Sequence, residues 1–528
     1  MRPFGFILTF LCATAVAAQR TTAVADGETY HGATVGGGVT AFRGVPYAEP
    51  PIGDRRWTPP VPRPAKHGDR DATSFGASCM QTDRLVTWAR NIAIGLGTAD
   101  RFDPEPPRPS EDCLYLNVWS ANVGGRDSRP VMVWFHGGSN QAGEGHARLY
   151  DGAALARRGV VVVKINYRLG MFGFLAHPAL TAESPHHASG NYGLLDQIEA
   201  LKWVQRNIRA FGGDPSRVTV FGESAGAIDI THLLASPAAT GLFHRAIVES
   251  GAAMGAVQPL KDAERAGASA LASLVTDTAH VAASLRAVPA QAILDAGVKA
   301  AAGRVVAADV TIDGWVLPDL TARVFEEGHQ QRVPLLIGTN ALEMTALTAY
   351  MPPMPQTVAA YETTMRLLLG PAAPTALKLY PASSVDEAQR RSYEVITHLI
   401  GTCPTRMAAR AVAATGQPTY LYQFTRVLPG GEKLGAFHSM EIGYVFGNAV
   451  RWMPRDSVDD SLSEAMIGYW TRFAATGDPN GAGAVSWPRY DSDQQYLELG
   501  AVVRQGRNLE GDLCDAVEPR IRATWPPR

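Results

Sequence analysis

Short apolar runs of strand length alternate with stretches of helical spacing through the middle of the chain. The runs are β-branched and apolar throughout, as in parallel strands that are covered on both faces. They lie at 39–42, 114–119, 131–135, 160–165, 218–221, 333–337 and 420–424. A helix is predicted over 194–211, and a Gly-Gly-Asp-Pro sequence ends it. Strand, helix and strand in succession predict an α/β fold with right-handed crossovers.

The rest of the pattern predicts insertions around this sheet rather than a second domain. Residues 262–302 are Ala-rich with helical spacing, and 345–415 are interpreted mainly as helix. The Pro-rich stretch 46–64 can form neither a helix interior nor a central strand, and 79–113 is interpreted as a polar, Pro-rich loop. Because no repeat or linker interrupts the chain, we expect a single domain over 19–528.

The first 18 residues have the pattern of a secretory signal peptide. Arg2 precedes an apolar stretch over 4–16, and small residues follow it. An N-terminal strand or buried helix is the alternative. No later run of about 18 apolar residues is present. We therefore expect cleavage near Ala17 or Ala18, a secreted or periplasmic mature chain, and no integral membrane segment in it.

Charge and cysteine content narrow the function classes. The chain has 48 Lys and Arg against 50 Asp and Glu, without a basic stripe, so nucleic acid is not an expected partner. One of the five cysteines would leave with the signal peptide, and an even set of four predicts two disulfides in an exported chain. The four allow three pairings and are Cys79, Cys113, Cys403 and Cys514. No Cys/His cluster has metal-ligand spacing, so no metal is expected.

A Gly-x-Ser-x-Gly sequence at 222–226 follows directly after the predicted strand 218–221. The five-residue pattern alone often arises by chance, and a tight turn with an idle serine is the alternative. Flanking glycines allow the sharp strand-to-helix turn that holds a nucleophilic serine in a strained conformation. Because small residues follow where a helix would begin, the context predicts Ser224 as the nucleophile of a serine hydrolase.

A serine nucleophile needs a base, and after such a turn the acid and then the base follow along the chain. Glu343 lies in the loop after a predicted strand, and Asp313 and Asp319 are the alternatives for the acid. Only His398 and His438 lie beyond Glu343; the first is in a helix-like segment and the second in a loop. We expect Glu343 to orient His438, and activity to fall as His438 is protonated at about pH 6 to 7.

The negative oxygen that develops during ester hydrolysis needs fixed N–H donors. The N–H of Ala225, directly after the nucleophile, is one candidate. Gly138 and Ser139 are the others, because they lie in a Gly-rich loop that follows the predicted strand 131–135. His136 is interpreted as ordering this loop rather than as a catalytic residue.

With these residues the chain resembles the type-B carboxylesterases, the family that includes the cholinesterases. The resemblance covers about residues 39 to 517. Its motifs are FRGVPYAEPP at 42–51, EDCLYLNVW at 111–119, HGG at 136–138, GLLDQ at 193–197, GESAG at 222–226 and the segment around His438. It implies the α/β-hydrolase fold with a cap over an active-site gorge, and the triad Ser224, Glu343 and His438.

The resemblance also implies how the cysteines pair, and it implies two ion pairs that are structural rather than catalytic. The disulfides would be Cys79–Cys113 and Cys403–Cys514, and the ion pairs would be Arg56–Glu111 and Arg168–Asp196.

Two departures from the family bear on substrate choice. Ser139 and Asn140 stand where the family's oxyanion loop has a third glycine and an aromatic residue. Asn140, Asp229 and Glu249 replace commoner residues near the site, which suggests a polar or bulky ester as substrate.

The features that bind choline in cholinesterases are absent. Asp103 stands where their tryptophan is expected, and Trp88 lies far from that position. Ala346 and Leu347 replace the aromatics expected just after the acid. Without an aromatic cage, selection of a quaternary ammonium group has no physical basis, so no cholinesterase specificity is expected.

The sequence therefore predicts a carboxylic ester hydrolase that works through an acyl-serine intermediate on a small-molecule ester, without a cofactor. The alternatives are a non-catalytic binding or adhesion module of the same fold, and a hydrolase that prefers carbamates, amides or lactones. Binding modules of this fold typically lack a triad member, whereas all three are present here.

Overall fold

An eleven-stranded sheet runs through the computed structural model, which describes residues 21–303 and 307–527. Within these ranges the strands, numbered along the chain, are β1 (Ala33–Thr34), β2 (Thr40–Pro46), β3 (Tyr115–Ser120), β4 (Arg129–Phe135), β5 (Val161–Ile165), β6 (Gly213–Glu223), β7 (Arg245–Glu249), β8 (Leu335–Asn340), β9 (Thr419–Phe424), β10 (Gln495–Leu499) and β11 (Arg504–Arg507). Their order across the sheet is β11-β10-β9-β8-β7-β6-β4-β5-β3-β2-β1. Short two-residue or four-residue strands form three small sheets outside it.

The centre of the sheet is parallel and its margins are antiparallel. Each neighbouring pair from β5 through β4 and β6 to β10 is parallel, whereas β1, β2, β3 and β11 pair antiparallel. Every residue of β5 is buried, as is expected for a strand covered on both faces. The α/β prediction is thus confirmed, and the antiparallel margins add to it.

Helices cover both faces of the sheet. Residues of β4 alternate between two core clusters: Val133 faces one cluster and Trp134 faces the other. Helices Tyr192–Asn207 and Ala225–Ala235 pack on the first face, and Ser457–Thr476 packs on the second. The remaining α-helices of the described residues are Arg84–Gly95, Ala153–Arg157, Gly170–Gly173, Pro178–Glu183, Leu260–Leu271, Val281–Arg286, Ala290–Ala302, Thr321–Glu326, Val358–Leu369, Ala373–Leu379, Val385–Thr397, Cys403–Ala414, Ile442–Val445 and Gly511–Ala523.

The structure corrects two element predictions. The predicted helix over 194–211 is α-helical only over Tyr192–Asn207 and tightens to 3₁₀ geometry over Ile208–Phe211. Part of the segment interpreted as a loop, 79–113, forms the helix Arg84–Gly95. Its prolines stand after residue 103, so they mark the end of the segment without preventing a helix at its start.

The structure forms both disulfides that the resemblance implies. Cys79 is bonded to Cys113 across 34 residues, and Cys403 is bonded to Cys514 across 111 residues. Disulfides persist in oxidising compartments, so the two bonds fit an exported protein. The predicted signal peptide lies outside the described residues. No helix in the part of the chain that the structure describes is long and apolar enough to cross a membrane.

Both implied ion pairs are also formed. Arg56 donates to both carboxylate oxygens of Glu111, and Arg168 donates to both oxygens of Asp196 at 2.7 and 2.8 Å. The second pair is fully buried, and the Arg168 N–H adds a third bond to the same carboxylate. A bidentate buried pair of this kind fixes the loop after β5 relative to the helix that begins at Tyr192.

Removing the Cys403–Cys514 bond is expected to destabilise the fold. In the loop-entropy description, a cross-link over about 100 residues contributes about 4 to 5 kcal/mol. We expect Cys403→Ala with Cys514→Ala to lower the free energy of unfolding by about 2 to 5 kcal/mol in urea titrations. The Cys79→Ala, Cys113→Ala variant is the control, since its shorter loop predicts a smaller loss. Unchanged unfolding of the first variant would contradict this.

Candidate active site

Ser224 lies in a strained turn between β6 and the helix Ala225–Ala235. Its backbone angles are φ 55° and ψ −123°, a conformation that side-chain-bearing residues rarely adopt and that costs about 1 to 3 kcal/mol. A Cβ on Gly226 would lie 2.1 Å from the carbonyl oxygen of Phe135, and one on Gly222 would lie 2.7 Å from it. The two glycines are therefore required by close backbone packing against the end of β4.

Glu343 and His438 meet at the same edge of the sheet. Glu343 begins a short 3₁₀ turn after β8, and His438 lies in the loop between β9 and the helix Ile442–Val445. The His438 Nδ1 lies 2.7 Å from the Glu343 Oε2, and both side chains are buried. The other oxygen of Glu343 accepts the backbone N–H of Asn340 at 2.7 Å, which fixes the carboxylate plane.

The second nitrogen of His438 contacts a residue that the sequence analysis did not single out. Glu223, directly before the nucleophile, places its Oε1 at 3.1 Å from the His438 Nε2. The Ser439 hydroxyl donates to the same oxygen at 2.6 Å. No hydrogen bond joins the Ser224 hydroxyl to His438 in the part of the chain that the structure describes. The sequence carried no signal for this contact, because Glu223 occupies a variable position of the Gly-x-Ser-x-Gly sequence.

These carboxylates determine the charge state of His438. Burial acts to lower the pKa of its ring, but Glu223 and Glu343 outweigh this and hold that pKa above its ordinary value. Burial raises the pKa of Glu223, and the nearby His438 acts in the opposite direction. We therefore expect His438 to titrate above the range of about pH 6 to 7 that the sequence predicted, because two facing carboxylates favour the imidazolium.

The loop that carries two of the three candidate donor groups lies against the turn at Ser224. Gly138 and Ser139 have positive φ angles of 109° and 58°, and the Ala225 N–H is the first of its helix, where no intrahelical acceptor exists. A Cβ on Gly137 would lie 3.0 Å from the Ser224 Cβ, so the loop and the turn touch. Backbone packing therefore brings the loop that carries Gly138 and Ser139 next to the turn before Ala225.

His136 holds the loop of Gly138 and Ser139 in place through a hydrogen bond and a ring contact. Its Nδ1 lies 2.8 Å from the Gly137 carbonyl oxygen, to which it donates, and its ring stacks on Tyr167 with centroids 4.5 Å apart. Burial lowers the pKa of His136 to about 4, so the ring is neutral at physiological pH. The side chain is fully buried, which leaves it no contact with a substrate.

The alternative residues have other partners. Asp313 accepts the backbone N–H groups of Trp315 and Leu317 within a turn. Asp319 pairs with Arg323 at 2.7 Å at the start of a helix. The buried His398 lies in a π-helical turn with its Nδ1 at 3.1 Å from the Thr402 hydroxyl.

The described residues contain no group of three or more His, Cys, Asp and Glu side chains that could hold a metal ion.

The residues taken as signs of a polar substrate are directed into the protein. Asn140 donates to Asp229 at 2.9 Å, and Trp470 donates to Glu249 at 2.8 Å. Asn140 is 4% exposed, and the two carboxylates are 0% exposed. Buried side chains of this kind do not contact a bound substrate directly, and the preference for a polar or bulky ester stays a prediction.

The residues at and near the positions that bind choline in cholinesterases form other contacts in this structure. Asp103 pairs with Arg148 at 2.7 Å, and both are largely exposed. The indole N–H of Trp88 donates to the backbone carbonyl of Ala346 at 2.8 Å, next to the acid loop. Trp88 is thus closer to the site than its sequence position indicates, but no second aromatic follows Glu343 at 344–347 to complete a cage.

Comparison with known proteins agrees with this geometry. The sequence model of the carboxylesterase family matches residues 22–516. A fumonisin B1 esterase of Sphingopyxis macrogoltabida is 37% identical, with 96% of this chain and 92% of that protein covered. Carboxylesterase 4A of Bos taurus is 34% identical over 89% of this chain and 88% of its own length.

Solved structures show the same relationship. A PNB esterase has a TM-score of 0.80 at 32% identity, with 94% of this chain and 99% of that chain covered. A carboxylesterase of Geobacillus stearothermophilus has a TM-score of 0.80 at 32% identity, with 96% and 100% covered. These structures share the α/β-hydrolase fold. The chain belongs to the carboxylesterase family and is an ester-hydrolysing enzyme.

Proposed function

We propose that the protein hydrolyses small carboxylic esters through an acyl-Ser224 intermediate, with His438 as the base and Glu343 as the residue that orients it. The observation that supports this best is the 2.7 Å contact between the His438 Nδ1 and the Glu343 Oε2 beside the strained Ser224 turn. In a triad the carboxylate holds the imidazole tautomer that leaves Nε2 free to accept a proton.

In the first half-reaction the Ser224 Oγ attacks the ester carbonyl while its proton passes to the His438 Nε2. For this step Nε2 exchanges its contact with Glu223 for one with the serine, and the ring must start neutral. The carbonyl oxygen becomes negative and accepts the N–H groups of Gly138, Ser139 and Ala225. His438 then donates its proton to the alcohol oxygen, the carbon–oxygen bond breaks, and the alcohol leaves.

In the second half-reaction water replaces the alcohol. His438 takes one proton from the water as its oxygen attacks the acyl carbon, and the same donors stabilise the second negative intermediate. The bond to the Ser224 Oγ then breaks, the proton returns to the serine, and the acid is released. Apart from the ester and water, every group that takes part in this cycle is a residue of the chain, so the proposal includes no cofactor. The binding-module alternative is not favoured, because the family and the relatives that match nearly the whole chain are esterases.

We also propose that residues 1–18 direct export and are removed near Ala17 or Ala18, and that residues 19–528 fold as one domain. The two disulfides support an exported location, because such bonds are kept in oxidising compartments.

Replacing the nucleophile should abolish turnover without affecting the fold. Ser224→Ala is expected to lower kcat on p-nitrophenyl acetate by about a million-fold, the scale seen when a serine hydrolase loses its nucleophile. A fluorophosphonate probe should label the wild type and the Ser216→Ala control, whose serine is exposed near the start of β6, at the end of the strand away from Ser224. Equal labelling of Ser224→Ala and wild type would overturn the assignment.

The acid side of the pH profile should depend on Glu223. Protonated His438 cannot accept a proton, so kcat/KM rises with pH through the pKa of His438, which the carboxylates hold above its ordinary value. Glu223→Gln removes one of these carboxylates and should shift the rise of kcat/KM to lower pH by about 1 to 3 units. The measurement is kcat/KM from pH 5 to 10.

Glu249→Gln is the matched control for this prediction. The Glu249 side chain accepts the Trp470 indole N–H and makes no contact with His438 among the described residues, so the substitution leaves the direct partners of the imidazole unchanged. The rise of kcat/KM with pH in Glu249→Gln should coincide with that in the wild type. Coincident profiles of Glu223→Gln and wild type would contradict the proposed electrostatic role.

A further inference from the structure

We propose that Asp229 is a positioning residue for the oxyanion hole, which it assembles by holding the side chain of Asn140. The inference rests on the proposed function, because it concerns the N–H donors that serve Ser224. Asp229 does not touch the substrate in this scheme and acts through the loop.

The oxyanion loop needs an external restraint. Gly138, Ser139 and Asn140 have consecutive positive φ angles of 109°, 58° and 54°. Glycine adopts such angles freely, but serine and asparagine do so only when surrounding contacts hold them there. A free loop would leave this conformation, and the N–H groups of Gly138 and Ser139 would then turn away from Ser224.

Asn140 supplies that restraint with its side-chain amide and its backbone carbonyl. Its Nδ2 donates to the Asp229 Oδ1 at 2.9 Å, and its Oδ1 accepts the Tyr167 hydroxyl at 3.1 Å. Its backbone carbonyl accepts the Gly170 N–H at 2.7 Å. Because the side chain is buried, these bonds are not weakened by competing water.

Asp229 links the two sources of oxyanion donors. It lies four residues after Ala225 on the same helix, so both are on one helix face. One carboxylate oxygen holds Asn140, and the other accepts the Gln197 amide at 2.5 Å from the neighbouring helix. The helix that carries the Ala225 N–H is thereby tied to the loop that carries the Gly138 and Ser139 N–H groups.

The link depends on acceptor oxygens rather than on charge. Burial raises the pKa of Asp229 to about 7, while the bonds from Asn140 and Gln197 act to lower it. The Gln197 Oε1 is buried without a hydrogen-bond partner in the described residues. An asparagine at 229 could accept from Asn140 with its oxygen and donate to a rotated Gln197 amide. Asp229→Asn should therefore keep the link that Asp229→Ala breaks.

The test compares three variants with wild type: Asp229→Ala, Asp229→Asn and Asn140→Gly. Glycine at 140 tolerates the positive φ, so this variant removes the side-chain link without adding backbone strain. Rates on p-nitrophenyl acetate are divided by the active fraction, which stoichiometric fluorophosphonate labelling measures. Misfolded protein therefore does not lower the kcat that is compared. Binding of a trifluoromethyl ketone, which adds to the serine and uses the same donors, is measured alongside.

Asp229→Ala and Asn140→Gly should each lower kcat by about 10²- to 10³-fold, the loss expected when an oxyanion donor is misplaced, with little change in KM. Ketone affinity should fall in parallel, and Asp229→Asn should recover most of the loss. The double variant Asp229→Ala, Asn140→Gly should be no worse than the poorer single variant, because both substitutions break the same bond between Asn140 and Asp229.

Wild-type kcat and ketone affinity in either single-link variant would overturn the inference, and so would additive losses in the double variant. Failure of the proposed function would look different: Ser224→Ala would still be labelled and active. If Asp229→Ala does not fold, Asn140→Gly and Asp229→Asn make the same comparison.

Discussion

Close backbone packing between the Ser224 turn and the loop after β4 is the constraint on which the site depends. Gly222 and Gly226 face the Phe135 carbonyl, and Gly137 faces Glu223 and Ser224, at distances that leave no room for a Cβ. The central parallel strands bring these segments to one edge of the sheet. The packing holds Ser224 in its strained conformation and brings the loop that carries the proposed donors beside it.

Burial of charge is the second constraint, because His438 is enclosed by carboxylates on both ring nitrogens. Glu343 accepts from one nitrogen and Glu223 contacts the other, so the ring is held in place before substrate arrives. Burial alone acts to lower the pKa of His438, but the attraction of the two carboxylates is strengthened by the exclusion of water, outweighs burial and raises that pKa. In the proposed mechanism this arrangement favours the imidazolium that forms during catalysis, and it determines the pH range over which kcat/KM rises.

The sequence predicted the sheet, the strand-to-helix turn at Ser224 and the pair formed by Glu343 and His438. Local patterns predict strands and turns, and the order of residues along the chain indicated the acid and the base. It did not reveal Glu223 as the partner of His438, since a variable position in a five-residue motif carries no orientation. The pairing of Asn140 with Asp229 joins residues 89 apart, and a single sequence contains no trace of such a contact. The helix that carries Trp88 was missed because prolines later in its segment dominated the pattern.

The central claim is that the turn and the loop together place Ser224 and three N–H donors around one reacting carbonyl. A crystal structure of the protein after reaction with a fluorophosphonate tests it most directly, because the phosphonyl group imitates the tetrahedral intermediate. The account predicts phosphorus bonded to the Ser224 Oγ and a phosphonyl oxygen within hydrogen-bond distance of the N–H groups of Gly138, Ser139 and Ala225. An adduct on another residue, or a phosphonyl oxygen directed away from these groups, would contradict it.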